Sequence, residues 1–192
     1  MDKEAVFSKI NAKLKEKDTP LLIAIDGMCA AGKSTLAREL QQYYEQEKIA
    51  VNVFHMDDFF LRKEQRTKER MEETGGNVDY ERFFEEVIKP LKDNKKGKYR
   101  PYDCTTGEVA EGTFFESRRL NIIEGSYSRH PYFKEVYDIK IFMETQPDEQ
   151  IRRIKKRNGE VMLSRFLNEW IPKENAYFDA FSIKKESLVI TT

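Results

Sequence analysis

Residues 21–35 read Leu21-Leu22-Ile23-Ala24-Ile25-Asp26-Gly27-Met28-Cys29-Ala30-Ala31-Gly32-Lys33-Ser34-Thr35. Five apolar residues in succession, with no polar alternation, predict a short strand buried on both faces. After Asp26, residues 27–34 fit the pattern G-x-x-x-x-G-K-S, and a helix is expected from about Lys33 to Glu47. Strand, glycine-rich turn and helix in that order describe a phosphate-binding loop. Glycines let successive N–H groups turn toward one point, and the helix behind them adds its positive end. The candidate nucleotide-binding residues are therefore Gly27, Met28, Cys29, Ala30, Ala31, Gly32, Lys33, Ser34 and Thr35. Lys33 would supply a point charge for the β- and γ-phosphates, the Ser34 hydroxyl would reach Mg²⁺, and Thr35 would lie near the α-phosphate. Cys29 occupies a variable position of the loop and reads as filler. The expected cofactors are ATP and Mg²⁺; the choice of ATP over GTP is left open.

Outward from this loop, further short apolar runs predict strands at 50–55, 120–123, 139–143 and 188–190. Helical patterns fall at 2–17 (with Asp2 as a cap), 79–93 (with Pro90 weakening its end), 146–157 and 160–170. Strands alternating with helices indicate an α/β fold with a mostly parallel sheet. In such sheets ligands bind beyond the carboxyl ends of the strands, so chemistry is sought just after Ile25, His55, Ile123 and Met143. Residues 61–76 are highly charged and read as a loop or mobile segment. Residues 99–115 read as a small hairpin with Thr106-Gly107 at its bend.

Composition narrows the class. The chain has 192 residues, 39% hydrophobic and 12% aromatic, enough for one packed domain. Lys+Arg and Asp+Glu both number 34, so bulk charge gives no support for a nucleic-acid partner. Two cysteines, Cys29 and Cys104, make a disulfide framework or a cysteine-rich zinc site an unsuitable reading. No apolar run approaches the length of a membrane span, and the first residues do not resemble a secretory signal. The expectation is a cytoplasmic protein without a membrane partner; homo-oligomerisation is left open.

The motifs of a GTPase switch, D-x-x-G and N-K-x-D, are missing, and the third strand ends in Glu124-Gly125 where a motor or transport ATPase carries Asp. That favours a small-metabolite kinase. Four blocks then resemble, in order, the uridine kinase / phosphoribulokinase / pantothenate kinase family: Ile23-Ala24-Ile25-Asp26-Gly27 with its loop, Met56-Asp57-Asp58-Phe59-Phe60, Ile122-Ile123-Glu124-Gly125, and the basic helix Arg152-Arg153-Ile154-Lys155-Lys156-Arg157-Asn158. The likeness runs from about residue 20 to 160 and is nearest to the uridine kinase-like branch.

The resemblance implies a P-loop NTPase architecture: three α/β/α layers, a five-stranded parallel sheet, a β-hairpin insertion near 99–117 and a helical lid near 152–168, all in a single domain over 1–192. It implies transfer of the ATP γ-phosphoryl group to a hydroxyl of a small molecule, a nucleoside first. Asp57 would be the base for that hydroxyl, with Asp58 its rival, since either acid could face inward. Glu124 would hold Mg²⁺ or the acceptor, with Asp57 and Ser34 as its companions at the metal. Lys33, Arg153 and Arg157 would neutralise charge on the transferring group; the two arginines lie four apart, on one helix face. Asp79 would grip ribose hydroxyls or cap its helix, and Tyr102 would stack on a base or pack the hairpin. Trp170 reads as core or lid packing, and His55 as a packed histidine. Arg129 and His130 fall near the expected acceptor pocket. Asp26, just before the loop, either braces it or belongs to the metal shell.

The chain departs from the uridine kinase pattern in two places. Cys104-Thr105-Thr106-Gly107 stands where an aromatic residue and a histidine read the pyrimidine, and Phe60 stands where a tyrosine is common. Other acceptors are therefore carried as alternatives: pantothenate, a sugar, or a sugar phosphate held by Arg62, Arg66 or Arg100. A non-catalytic ATP-binding regulatory module is a further alternative.

Overall fold

The computed structural model describes residues 3–192, so the cap expected at Asp2 lies outside the described residues. In chain order come α1 (Lys3–Glu16), β1 (Leu21–Gly27), α2 (Lys33–Gln46) and β2 (Val51–His55), then α3 (Lys68–Glu72) and the helical run α4 (Tyr80–Phe83) and α5 (Lys89–Lys92). The strands β3 (Gly97–Tyr99), β4 (Tyr102–Asp103), β5 (Glu108–Val109) and β6 (Thr113–Phe115) follow. Then come β7 (Leu120–Glu124), β8 (Ile139–Glu144), α6 (Pro147–Arg165), α7 (Ile171–Ala180) and β9 (Leu188–Thr191).

The main sheet has five strands, all parallel, in the order β2-β7-β1-β8-β9. It is covered on both faces, which is why β1 and β7 are buried along their whole length and read as unbroken apolar runs. Successive side chains alternate between the faces. Leu21, Ile23 and Ile25 pack with Leu120 and Ile122 against α1 and α2, through Val6, Ile10, Leu36 and Leu40. Leu22, Phe54, Ile123 and Phe142 pack on the other side against Phe83, Val87, Tyr177 and Phe178 from the 80–92 run and α7. This is the three-layer α/β/α arrangement that the sequence predicts.

The departures are local. The hairpin starts two residues earlier than expected and comes in two storeys, β3 paired with β6 and β4 with β5. The 61–76 segment, expected to be a loop, contains α3 and is pinned at its base. Phe60 bridges to Val78, Asp79 N–H donates to Phe59 O (2.7 Å), and Arg70 reaches Gly76 O (2.8 Å), Val78 O (3.0 Å) and Glu81. Two prolines do not stop their helices. Pro90 and Pro172 each sit inside a continuous helical run, with Ile88 and Trp170 before them in helical conformation. Each is preceded by a π-turn, Phe84–Ile88 and Phe166–Trp170. The residue four before each proline lies inside that wider turn, whose i→i+5 spacing accommodates the ring. The helix α7 has no counterpart among the helices expected from sequence.

Candidate active site

The carboxyl ends of β1, β2 and β7 meet where the register sets His55 beside Glu124 and Glu124 beside Ile25. A cleft of about 710 Å³ opens there. The phosphate loop forms one wall. It leaves β1 so close to β8 that a Cβ on Gly27 (φ 128°) would come within 2.1 Å of Met143 O, and Met28 N–H then donates to that same carbonyl (2.9 Å). Only glycine permits this approach. The loop is held from beneath by Asp26, which is fully buried. Its Oδ1 accepts from the N–H of Gly27 (2.7 Å) and Tyr127 (3.2 Å), and its Oδ2 from Arg129 N–H (3.0 Å) and the Tyr177 hydroxyl (2.8 Å). Burial raises its pKa against these bonds. Every bond it makes is internal, so Asp26 is a brace.

Lys33 lies inside the loop, its Nζ donating to Gly27 O (2.8 Å) and Met28 O (2.9 Å) and lying 3.2 Å from Ser126 Oγ. The helix α2 starts at Gly32 with no side-chain cap, so its first amides keep the free donors of a helix N-terminus. Ser34 and Thr35 are exposed at that end and line the cleft. An uncapped helix start beside a lysine and two hydroxyls is a fitting cradle for a polyphosphate.

Asp57 lines the same cleft, and Asp58 does not. The Asp58 carboxylate is taken by the Tyr99 hydroxyl, whereas Asp57 accepts no hydrogen bond among the described residues. Its carboxylate opens to the cleft but is ringed by protein. That enclosure raises its pKa above the usual carboxylate range, Lys33 pulls it back, and Glu124, Glu174 and Asp58 push it further up. Glu124 is 4% exposed, with Oε1 2.5 Å from Nδ1 of His55. His55 is therefore not the packed histidine of the sequence reading. Its ring is half exposed and fixes Glu124, and the bond to Glu124 raises its pKa.

Arg153 and Arg157 both reach the cleft from α6. Arg153 donates to Glu149 (2.6 Å) and to the loop carbonyl of Ala30 (3.2 Å). Arg157 is exposed and lies over Phe166. Gln150 ties α6 to the loop through Cys29 O (3.0 Å). Trp170 packs edge-on against Phe166 at the cleft rim.

Asp79 and Tyr102 lie away from the cleft. Asp79 is 2% exposed and caps α4 by accepting from Arg82 N–H (3.2 Å), while Gln65 (2.9 Å) and the Arg82 guanidinium (3.3 Å) occupy its Oδ2. Tyr102 is buried in the hairpin against Val109. The three arginines considered for a phosphorylated acceptor are engaged elsewhere. Arg66 holds Leu61 O, Arg100 holds Glu86, and Arg62 holds Gln65. Arg129 is bound to Ile183 O and Ser187, and His130 stacks on Tyr80 (4.0 Å). Sequence reading missed Ser126, Tyr127 and Glu174, which also line the cleft. Glu174 carried a signal: an acid among Ile171, Tyr177 and Phe178 on one apolar helix face.

The chain is similar to known proteins over most of its length. The model of the phosphoribulokinase / uridine kinase family matches residues 22–159. A uridine kinase of Clostridium perfringens (strain ATCC 13124) is 27% identical over 175 residues, 82% of this chain and 81% of the relative. Two solved structures share the fold. A possible uridine kinase from Bacillus stearothermophilus superposes with a TM-score of 0.69 at 22% identity, covering 98% of this chain and all of the other. The D-glycerate 3-kinase of Cryptococcus neoformans var. grubii does so at 0.67 and 15%, covering 98% and 95%.

Proposed function

The chain belongs to the phosphoribulokinase / uridine kinase family, and on that premise we propose that it transfers the γ-phosphoryl group of ATP to a hydroxyl of a small molecule that carries no phosphate group, a nucleoside first. The observation that carries this reading is the Asp57 carboxylate, which shares one cleft with Lys33, Ser34 and Glu124 and has no partner of its own among the described residues. A pure nucleotide binder has no use for an unpartnered base at that place. Asp57 takes the proton of the attacking hydroxyl, and its raised pKa suits it to the task. The loop amides and Lys33 hold the phosphates. Arg153 and Arg157 swing over the transferring group and offset its charge. Bound Mg²⁺ neutralises phosphate oxygens, and the Ser34 hydroxyl with the Glu124 carboxylate, Asp57 alongside, are the oxygen donors fit to hold it. Among the described residues no cluster of three His, Cys, Asp or Glu could hold an ion alone, which suits an ion bound chiefly by phosphate and water.

Charge around the cleft narrows the acceptor. Beyond Lys33 the cations at the cleft, Lys3, Arg38, Arg153 and Arg157, come from α1, α2 and α6, around the phosphate loop. Arg62, Arg66 and Arg100 do not reach it, which favours an acceptor without a phosphate group. The exposed turn at Cys104, in place of a pyrimidine-reading histidine, keeps pantothenate and simple sugars as the second reading.

The test is ADP formation from MgATP with uridine, cytidine, deoxynucleosides, pantothenate and sugars. At least one should be turned over, and Asp57→Asn should cut that turnover by about 10²–10⁴. The wild-type rate should fall on the acid side as Asp57 takes up a proton and can no longer accept one from the hydroxyl. ATP binding with no acceptor-dependent ADP would favour the regulatory module instead.

A further inference from the structure

Glu174 is a carboxylate placed where charge is costly. It is 6% exposed and has no ion pair among the described residues. Its Oε2 accepts from the N–H of Cys29 in the phosphate loop (2.9 Å), and its Oε1 lies 2.6 Å from the hydroxyl of Ser126 in the loop after β7. That Ser126 oxygen is in turn 3.2 Å from Lys33 Nζ and 3.1 Å from Gly27 O. Three residues further along α7, Tyr177 donates to Asp26 beneath the same loop. One face of α7 therefore grips both loops that form the wall of the cleft. A buried carboxylate is expensive unless its hydrogen bonds are made, and every bond Glu174 makes goes to the phosphate loop or to the hydroxyl beside its lysine.

We propose that Glu174 is a positioning residue of the nucleotide site: by holding the Cys29 amide and the Ser126 hydroxyl, it fixes the phosphate loop and the Lys33 ammonium in the geometry that receives phosphate. The proposal rests on the kinase reading of the cleft. Glu174 touches no reacting atom; it acts through Ser126 and the loop. Glutamine in its place has an oxygen for the Cys29 amide and an NH₂ group for Ser126, whose own proton then goes to Gly27 O. Alanine has neither.

The test measures MgATP affinity directly by calorimetry, without any acceptor, at a temperature where each variant is shown to be folded. Glu174→Ala should weaken binding about ten- to a hundredfold, the range for lost hydrogen bonds to a charged group. Glu174→Gln should stay within about threefold of wild type. Ser126→Ala should show a smaller loss than Glu174→Ala and decides the matter should Glu174→Ala fail to fold. A lowered melting temperature with unchanged MgATP affinity in Glu174→Ala or Ser126→Ala overturns the proposal. So does a Glu174→Gln variant as weak as Glu174→Ala, because the effect would then be one of charge. A wild-type chain that binds no MgATP would overturn the kinase reading itself, a result separate from the comparison among variants.

Discussion

His130, which is buried, and Asp57, which opens to the cleft but is ringed by protein, show a low-dielectric surrounding moving a proton in opposite directions. Enclosure disfavours whichever form is charged, so it pushes the Asp57 carboxyl up and the His130 imidazole down, the latter from 6.5 to about 4 with Arg70 nearby adding to the effect. His130 lies flat on Tyr80, accepts from Tyr132 N–H through Nδ1 (3.3 Å), and leaves Nε2 buried without a partner among the described residues. Unfolding exposes it and lets it charge. The unfolded chain therefore binds more protons between about pH 6.5 and 4, and stability falls as pH drops through that window. From about pH 7 to about pH 5 this one residue should cost roughly 2 kcal/mol. Thermal melts of wild type and His130→Asn at both pH values check it, and a variant with the wild-type slope would count against it. At this scale the phosphate loop, Asp57 and Glu124 were legible, because motif and strand end announce them. His55 was not. Its role depends on β2 lying next to β7 in a given register, and a single strand does not display its neighbour.

Among the elements, α6 is interrupted. The turns run on from Pro147 to Arg165, but between them stands Gly159, whose backbone (φ 80°, ψ 172°) is not helical and is open essentially to glycine alone. It separates the arginine-bearing half, with Arg153 and Arg157, from the half that leads to Phe166 and Trp170. A Cβ at Gly159 would meet no neighbour, so its substitution tests backbone strain without a clash. Gly159→Ala should cost about 1–3 kcal/mol locally. Hydrogen exchange over residues 155–166 should rise about ten- to a hundredfold, while β1, β7 and β8 exchange as before. Unchanged exchange in that segment would show that the break is not strained. The elements most readily read from sequence were those with one strong pattern. Helix α3, Lys-Glu-Arg-Met-Glu in sequence, has no buried residue, hence no apolar stripe to reveal it. Helix α7 runs on from the π-turn Phe166–Trp170 through Pro172, a continuation that no local pattern in the sequence announces.

For the whole molecule, the five strands could be located but not ordered. Each is a short apolar run. The order β2-β7-β1-β8-β9 follows from pairings as distant as Leu21 with Leu120 and Val51 with Leu120, which local patterns do not encode. The cleft is also a property of the assembled whole, drawing on α1, α2, α6, α7 and three strand ends. A ligand that touches so many elements stabilises all of them together. MgATP at about 100 times its dissociation constant should add about 2.7 kcal/mol, a rise in melting temperature of roughly 5–10 °C for a chain of this size. No rise at millimolar MgATP would argue against a nucleotide in the cleft.

The two cysteines give the molecule a selective chemical handle. Cys29 is buried in the phosphate loop, its thiol pushed up to about 12 by burial and by Glu174, and Gln150 covers its sulfur (3.3 Å). It is held in the unreactive protonated form. Cys104 stands exposed in the turn of the hairpin. An alkylating dye offered to the folded protein therefore marks the hairpin and spares the loop. A fluorophore can be placed on the hairpin of the wild-type chain with no cysteine removed by mutation.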